Sequence, residues 1–143
     1  MLNQLAVFVE NQPGKLKEVT DQVRRQEVEF YAFVCFDNPE FGIFRFICDD
    51  PDKMKQILTS QGFVTKVGQV LAVTLTKELG GFDGLLETLA EQQINLNYTY
   101  PSFLRKDGLP VVIFHTDDLE KSEVVLRERG FQVIESMAEC ECE

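Results

Sequence analysis

The chain has 143 residues, 44% of them hydrophobic, and 24 acidic against 14 basic residues give a formal charge of −10. That is enough apolar material for one packed domain or two very small ones. The negative excess, uninterrupted by any basic cluster, argues against nucleic acid and anionic lipid as partners.

In chain order, Leu5, Val7 and Val9 alternate as a half-buried strand near 3–10. Leu16, Val19 and Val23, spaced by three and four, mark one face of a helix near 13–26. Strands follow near 28–37 and 42–49, about a turn at Asp37-Asn38-Pro39-Glu40. Asp49-Asp50-Pro51 supplies a cap and a proline at the first helical position, opening a helix near 51–61 that Gly62 ends. A strand near 63–67 completes the set.

The order then repeats. Leu71, Val73 and Leu75 copy the first strand 66 residues later, near 69–77, and Phe82, Leu85 and Leu89 copy the helical stripe, near 80–92. Ile94 and Leu96 match Val28 and Phe30 and open a strand near 94–104. Past the turn residues Lys106-Asp107-Gly108 the offset becomes 68, with a strand near 110–116. Asp117-Asp118 then precedes a helix near 118–129, and Gly130-Phe131 a last strand near 131–137.

Each half therefore reads βαββαβ, with units at 1–67 and 68–143, the second ending in an acidic tail that holds Glu139, Glu141 and Glu143. Right-handed crossovers place both helices of a unit on one face and leave the strand order 4-1-3-2, which is ferredoxin-like. Val67 nearly abuts the next strand, so no flexible linker is expected. Phe30, Phe44 and Phe46 alternate with Tyr31, Arg45 and Ile47, which suits strands with one face under helices and the other a candidate interface.

Chemistry-bearing residues are sparse. Cys35 and Cys48 lie in apolar runs and read as core. Cys140 and Cys142 form a C-x-C pair without the spacing or the second half-site of a zinc module, so no metal and no cofactor is expected. His115 ends the apolar run Val111-Val112-Ile113-Phe114 and reads as structural. The Asp49-Asp50 and Asp117-Asp118 pairs precede helices at matching repeat positions, where capping explains them better than acid–base chemistry. No nucleophile elbow or metal-ligand spacing occurs, so an enzyme is not expected. Gly42-Ile43-Phe44-Arg45-Phe46 has the alternation of an RNA-stacking strand, a reading the net charge opposes. No signal peptide and no run of ~18 apolar residues is present, so membranes are not expected partners and the cytoplasm is the expected compartment.

The informative segment is Glu10-Asn11-Gln12-Pro13-Gly14-Lys15-Leu16, a polar loop that ends a strand and opens a helix. Gly14 lets a ligand touch backbone, the amides of a helix start attract a carboxylate, and Asn11 offers both donor and acceptor. A free amino acid needs those groups. The same residues equally suit a helix capped by Asn11 after a plain Pro13-Gly14 turn.

In these residues the chain resembles the ACT domains, βαββαβ regulatory modules that accompany enzymes of amino-acid metabolism. Their hallmark is a strand ending in an acidic or amide residue, then x-P-G-x-L, then an apolar-N-apolar start to the second strand. Asn11-Gln12-Pro13-Gly14-Lys15-Leu16 and Ile94-Asn95-Leu96 have that form, and the resemblance spans the whole chain. It implies an α+β fold with two ferredoxin-like units side by side, an antiparallel eight-stranded sheet and four helices on one face. It further implies a ligand at the seam, held by Glu10 to Leu16 and by Asn95, Leu96 and Asn97. The opposite seam would set Lys77-Glu78-Leu79-Gly80-Gly81 against Val28-Glu29-Phe30. There the proline is missing and Glu29 replaces the asparagine, so weaker or different binding is expected. The expectation is a stand-alone regulatory module that binds a small amino acid and works as a homo-oligomer or with a partner enzyme. The alternative is a ligand-free assembly module for such an enzyme.

Overall fold

The computed structural model describes residues 1–37 and 40–142, and its chain divides into two compact units, Asn3–Gly68 and Met1–Leu2 with Gln69–Glu143. The turn expected at Asp37 to Glu40 rests on Asn38 and Pro39, which lie outside the described residues, as does Glu143 of the tail.

In the N-terminal unit the elements are β1 (Leu2–Glu10), α1 (Lys15–Arg25), β2 (Phe30–Phe36), β3 (Phe41–Cys48), α2 (Pro51–Ser60) and the start of β4 (Val64–Thr74). Alternation decides which side chains enter the core. Leu5, Val7 and Val9 of β1 and Phe44, Phe46 and Cys48 of β3 form one cluster with Val19 and Val23 of α1 and Met54 and Leu58 of α2. Both helices therefore cover the same face of the strands. Each fully buried side chain of this size is worth roughly 1.5–3 kcal/mol before entropy is charged. The strand order is β2-β3-β1-β4, with β1 antiparallel to β3 (Val7 opposite Phe44).

The C-terminal unit takes the rest of β4, then α3 (Gly81–Glu91), β5 (Leu96–Lys106), β6 (Leu109–Thr116), α4 (Leu119–Arg129) and a short β7 (Glu141–Cys142), in the order β4-β6-β5-β7. Leu71, Val73, Val112 and Phe114 meet Leu85, Leu89 and Leu126 in its core. Asp107 and Gly108 both have positive φ (52° and 76°), the geometry of a two-residue primed hairpin turn. Val70, Ala72, Val111 and Ile113, on the face away from the helices, are also buried, so these strands read as continuous apolar runs.

The eight-stranded sheet is not formed; the described residues make seven strands. Two differences account for it. The segments expected near 63–67 and 69–77 are one unbroken strand, β4, because Gly68 lies in its middle without the positive φ that would turn the chain. The segment expected near 131–137 forms no strand among the described residues and pairs with β4 through an isolated bridge from Val133 to Val73. Beyond it Ser136 and Glu139 form a reciprocal capping box on a 3-10 turn, Met137–Glu139, which takes the chain off the sheet. Cys48 is buried, but Cys35 is exposed: its neighbours in register face the helices, yet it sits one residue from the end of β2.

The second unit's loop is also tighter than the first. Lys77–Leu79 forms a 3-10 turn whose Thr76 hydroxyl accepts from the Leu79 N–H at 3.3 Å. The Leu79 carbonyl settles so close to α3 that a Cβ built on Gly84 would lie 1.7 Å from its oxygen. Gly84→Ala must therefore push this turn off the helix, with an expected cost of about 2–3 kcal/mol. The measurement is a fall in urea midpoint at unchanged slope; a midpoint equal to the parent's would show that the turn is not held against α3.

Candidate functional site

The loop after β1 is shaped by backbone demands. The Gln12 N–H donates to the Glu10 carbonyl at 2.8 Å and the Lys15 N–H to the Gln12 carbonyl at 3.2 Å, so Pro13 and Gly14 form a tight turn. Gly14 is the N-cap of α1 in the left-handed region, φ 85°, with no side chain capping the helix. Nothing lies within 4 Å of a Cβ built there, so the glycine serves conformation rather than clearance. Asn11 is therefore not the cap, and α1 starts at Lys15 rather than at the proline.

By contrast α2 and α4 are capped by aspartate. Asp50 accepts from the Lys53 N–H and Asp118 from the Lys121 N–H. The preceding aspartates take a second common role: Asp49 accepts from the Tyr31 hydroxyl and Asp117 from the Asn95 N–H, each at the entry of its unit's second strand. Both carboxylate pairs are thus spent on architecture.

Beside the first loop the N-terminal unit opens a groove of about 390 Å³. Glu10, Lys15 and Glu18 supply its charge, with Lys15 Nζ 3.7 Å from the Glu18 carboxylate, and Phe8, Phe41 and Phe63 supply apolar wall. The rings of Phe8 and Phe41 stand 5.9 Å apart. Of the expected residues, then, Glu10 and Lys15 face one cavity, while Asn11, Gln12, Pro13, Gly14 and Leu16 frame the loop and are exposed. Phe41, Phe63 and the Gln61-Gly62 corner went unrecognised, since they come from chain segments distant in sequence; the glycine that ends α2 was their one visible signal.

Asn95, Leu96 and Asn97 lie in the C-terminal unit, at the start of β5. They form a polar ladder along the strand. Asn95 Nδ2 donates to Asn97 Oδ1 at 2.9 Å, and Asn97 Nδ2 lies 2.9 Å from His115 Nδ1, which as partner of an amide nitrogen must accept. The His115 ring stacks on Tyr98, with centroids 5.2 Å apart and planes within 3°. The histidine read as structural is thus the inner end of a solvent-facing polar row. Of the second set, Glu78 lines a separate groove of this unit, Gly80 is the left-handed N-cap of α3, and Glu29 is exposed just ahead of β2.

Thiol chemistry finds no support. Burial, aided by Asp49 and Asp50, pushes the Cys48 thiol up to about 12, and burial first also raises Cys35 and Cys140. Among the described residues no group of three or more His, Cys, Asp or Glu could hold a metal ion.

Two compact units, each with a glycine-led helix after its first strand and a groove beside that helix start, define the class: a repeated α+β module. A family model described as the ACT domain pair matches residues 1–141, and the chain belongs to that family. ACT domains are regulatory modules. Among solved structures, protein BT0572 of Bacteroides thetaiotaomicron is 26% identical over 93% of this chain and 91% of that one, with a TM-score of 0.84. The regulatory subunit of aspartate kinase from Thermus thermophilus, in a ligand-free form, shares the fold at 10% identity and a TM-score of 0.58, over 90% and 92% of the two chains. The aspartokinase alpha and beta subunits do so at 16% and 0.55, over 90% and 97%. No curated protein matches. Among the described residues no helix is long and apolar enough to cross a membrane.

The acidic tail is tied down rather than loose. Lys106 Nζ bonds Glu139 at 3.0 Å, the Gly108 N–H donates to Glu141 at 3.0 Å, and β7 pairs with β5 at Leu104 and Arg105. The Lys106 hydrogen bond, followed by the Glu135 amide, holds the Glu139 carboxyl below its ordinary value of 4.5. A lowered folded-state value means the strap's stabilisation is complete above 4.5 and is lost as pH falls through the folded value. Hydrogen exchange at Gly108 and Cys140 should accordingly quicken in acid beyond its intrinsic trend, and Glu139→Gln should produce that exposure at neutral pH. Equal protection in parent and variant would show that the pair does not hold the tail.

Proposed function

We propose that this chain is a regulatory module that binds a free amino acid in the groove of its N-terminal unit. Binding is read out through self-association or through a partner enzyme of amino-acid metabolism. One observation carries the reading: opposite charges stand across an apolar cavity, beside a helix start that no side chain caps. The Glu10 carboxylate suits a ligand ammonium. The Lys15 ammonium and the positive end of the α1 dipole suit a carboxylate, an attraction of about 0.3–1 kcal/mol from the helix end alone. Phe8, Phe41 and Phe63 then meet the side chain. Gly14 keeps backbone accessible, and Asn11 and Gln12, exposed in the same loop, complete the proposed contacts. Asn95, Leu96 and Asn97 remain proposed contacts on the strength of their polar ladder. Membership of a regulatory family supports the same reading.

A second reading, ligand-free assembly on a partner, is favoured by Phe8, Phe36 and Phe41, which are 37%, 46% and 39% exposed. Aromatic surface of that kind marks interfaces as well as pockets.

A thermal-shift screen against the twenty amino acids separates the two. At ~100 times its dissociation constant a ligand adds about 2.7 kcal/mol, and the midpoint should rise by roughly 5–10 °C. Lys15→Gln and Asn11→Ala should remove that rise, and Asn95→Ala reports whether the ladder holds ligand. If no amino acid moves the midpoint, binding in this form is wrong and ligand-free assembly becomes the account to pursue.

A further inference from the structure

The start of β5 carries a bulge. Leu96 pairs with Thr116 and Tyr98 with His115, so two steps on β5 oppose one on β6, and Asn97 is the extra residue. Successive residues of a regular strand face opposite sides. Here two of them, Asn97 and Tyr98, reach one ring: Tyr98 stacks on the His115 imidazole, and Asn97 Nδ2 donates to its Nδ1. The N-terminal unit has a bulge at the repeat-equivalent residue, Tyr31, between the pairs Phe30 with Cys48 and Ala32 with Ile47. There Ile47 stands in place of His115 and Glu29 in place of Asn95, so the bulge is common to the repeat and the polar row is not.

The row has a direction. Asn95 Nδ2 donates to Asn97 Oδ1 and Asn97 Nδ2 to His115 Nδ1, each at 2.9 Å, so every member gives its N–H toward the histidine. That order requires a neutral imidazole with its proton on Nε2, because a protonated imidazole has only donors to offer. On protonation Asn97 must present its oxygen to the Nδ1–H. Its amide nitrogen then swings toward Asn95, which must answer with its own oxygen. The torsion that exchanges the two ends of an asparagine amide is broad and roughly two-fold, so both settings are accessible. The backbone stays in place: the Asp117 carboxylate accepts from the Asn95 N–H, and the Asp117 N–H donates to the Asn95 carbonyl, each at 3.2 Å.

Asp117, Asp118 and Glu120 share a cavity of about 410 Å³ with His115, and the Met1 amino group on the wall of that cavity is ion-paired with Glu135 at 3.5 Å and Glu123 at 4.0 Å. From β4 the cavity receives the uncharged Gln69, and from β5 the ring meets Asn97 and the phenol of Tyr98.

We propose that His115, Asn97 and Asn95 form a proton-set switch of hydrogen-bond polarity. With His115 neutral, the exposed Asn95 turns its Oδ1 outward and offers an acceptor at the start of β5. With His115 protonated it turns Nδ2 outward and offers a donor. Histidine is the side chain that ordinarily changes charge between about pH 5 and 8, so the reversal answers to physiological acidity. The switch stands whether or not Asn95 touches a ligand.

The test is 15N NMR of the labelled full chain from about pH 5 to 8. The expected result is a neutral ring protonated on Nε2, with Asn97 and Asn95 side-chain amide signals that shift at the ring's own midpoint. In His115→Phe, which keeps a ring against Tyr98 and removes both nitrogens, neither amide should shift over this range. In Asn97→Ala the ring should still titrate while the Asn95 amide stops responding. A neutral ring protonated on Nδ1 would overturn the switch, as would an Asn95 amide that ignores the ring in the parent. Shifts that persist in His115→Phe would assign the response to the neighbouring carboxylates, and an Asn95 shift that survives in Asn97→Ala would assign it to the ring's charge acting through space; either overturns the relay.

Discussion

Four helix starts have to place their free N–H groups, and the way each is satisfied organises the rest of this protein. A helix begins with backbone donors that have no partner inside it. At α2 and α4 an aspartate accepts one of them, which fixes these helices and uses up the carboxylates. At α1 and α3 the N-cap is a left-handed glycine with no side chain to offer. There the first amide donates instead to a loop carbonyl, Lys15 to Gln12 and Gly81 to Thr76. Both are flanked by a groove, and both follow the first strand of a unit. The repeat thus divides its helices into two capped by an aspartate side chain and two led by a left-handed glycine.

Divergence has then acted on the glycine-led pair. In the first unit Pro13 and Gly14 keep the loop short, and charge comes from the strand end and the first turn of α1. In the second, the extra 3-10 turn at Lys77–Leu79 moves the charge into the loop, and small residues replace the charged ones on the helix. The glycine at position 84 is the structural cost of that exchange, since a side chain there would displace the turn. The terminal strap follows the same logic of duplication with change. The unit that ends the chain binds its last segment to the β5–β6 hairpin through Lys106 and Glu139.

The repeat, the helices and the capping aspartates were legible because they are local. Asp50 before Pro51, the stripe at Leu16, Val19 and Val23, and the 66-residue offset all lie within short windows. What was not legible depends on partners far along the chain. Two strands were expected near 63–67 and 69–77, but Gly68 between them is extended without positive φ and joins them into one. Phe131 and Val133 alternate as a strand and are buried, yet the Ser136–Glu139 capping box turns the chain before a ladder can form. Half of the first groove was visible in Glu10 and Lys15. Phe41, Phe63 and Val64 were not, since only the packed unit brings them beside the loop.

Charge unites the composition with the proposed ligand. A body carrying −10 repels free phosphates, nucleotides and dicarboxylates before they reach any groove. A neutral amino acid carries both signs and no net charge, so the same field leaves it unopposed at long range and acts only at contact distance. There it must find an acid and a base a few ångströms apart, since each charged end loses water on entering an apolar cavity and needs a partner in exchange. Glu10 and Lys15 supply an acid and a base to the first groove, beside the rings of Phe8, Phe41 and Phe63. Under the proposed function the acidic surface screens by net charge, and the first groove discriminates by what remains once the two ends are matched: the shape and polarity of the side chain.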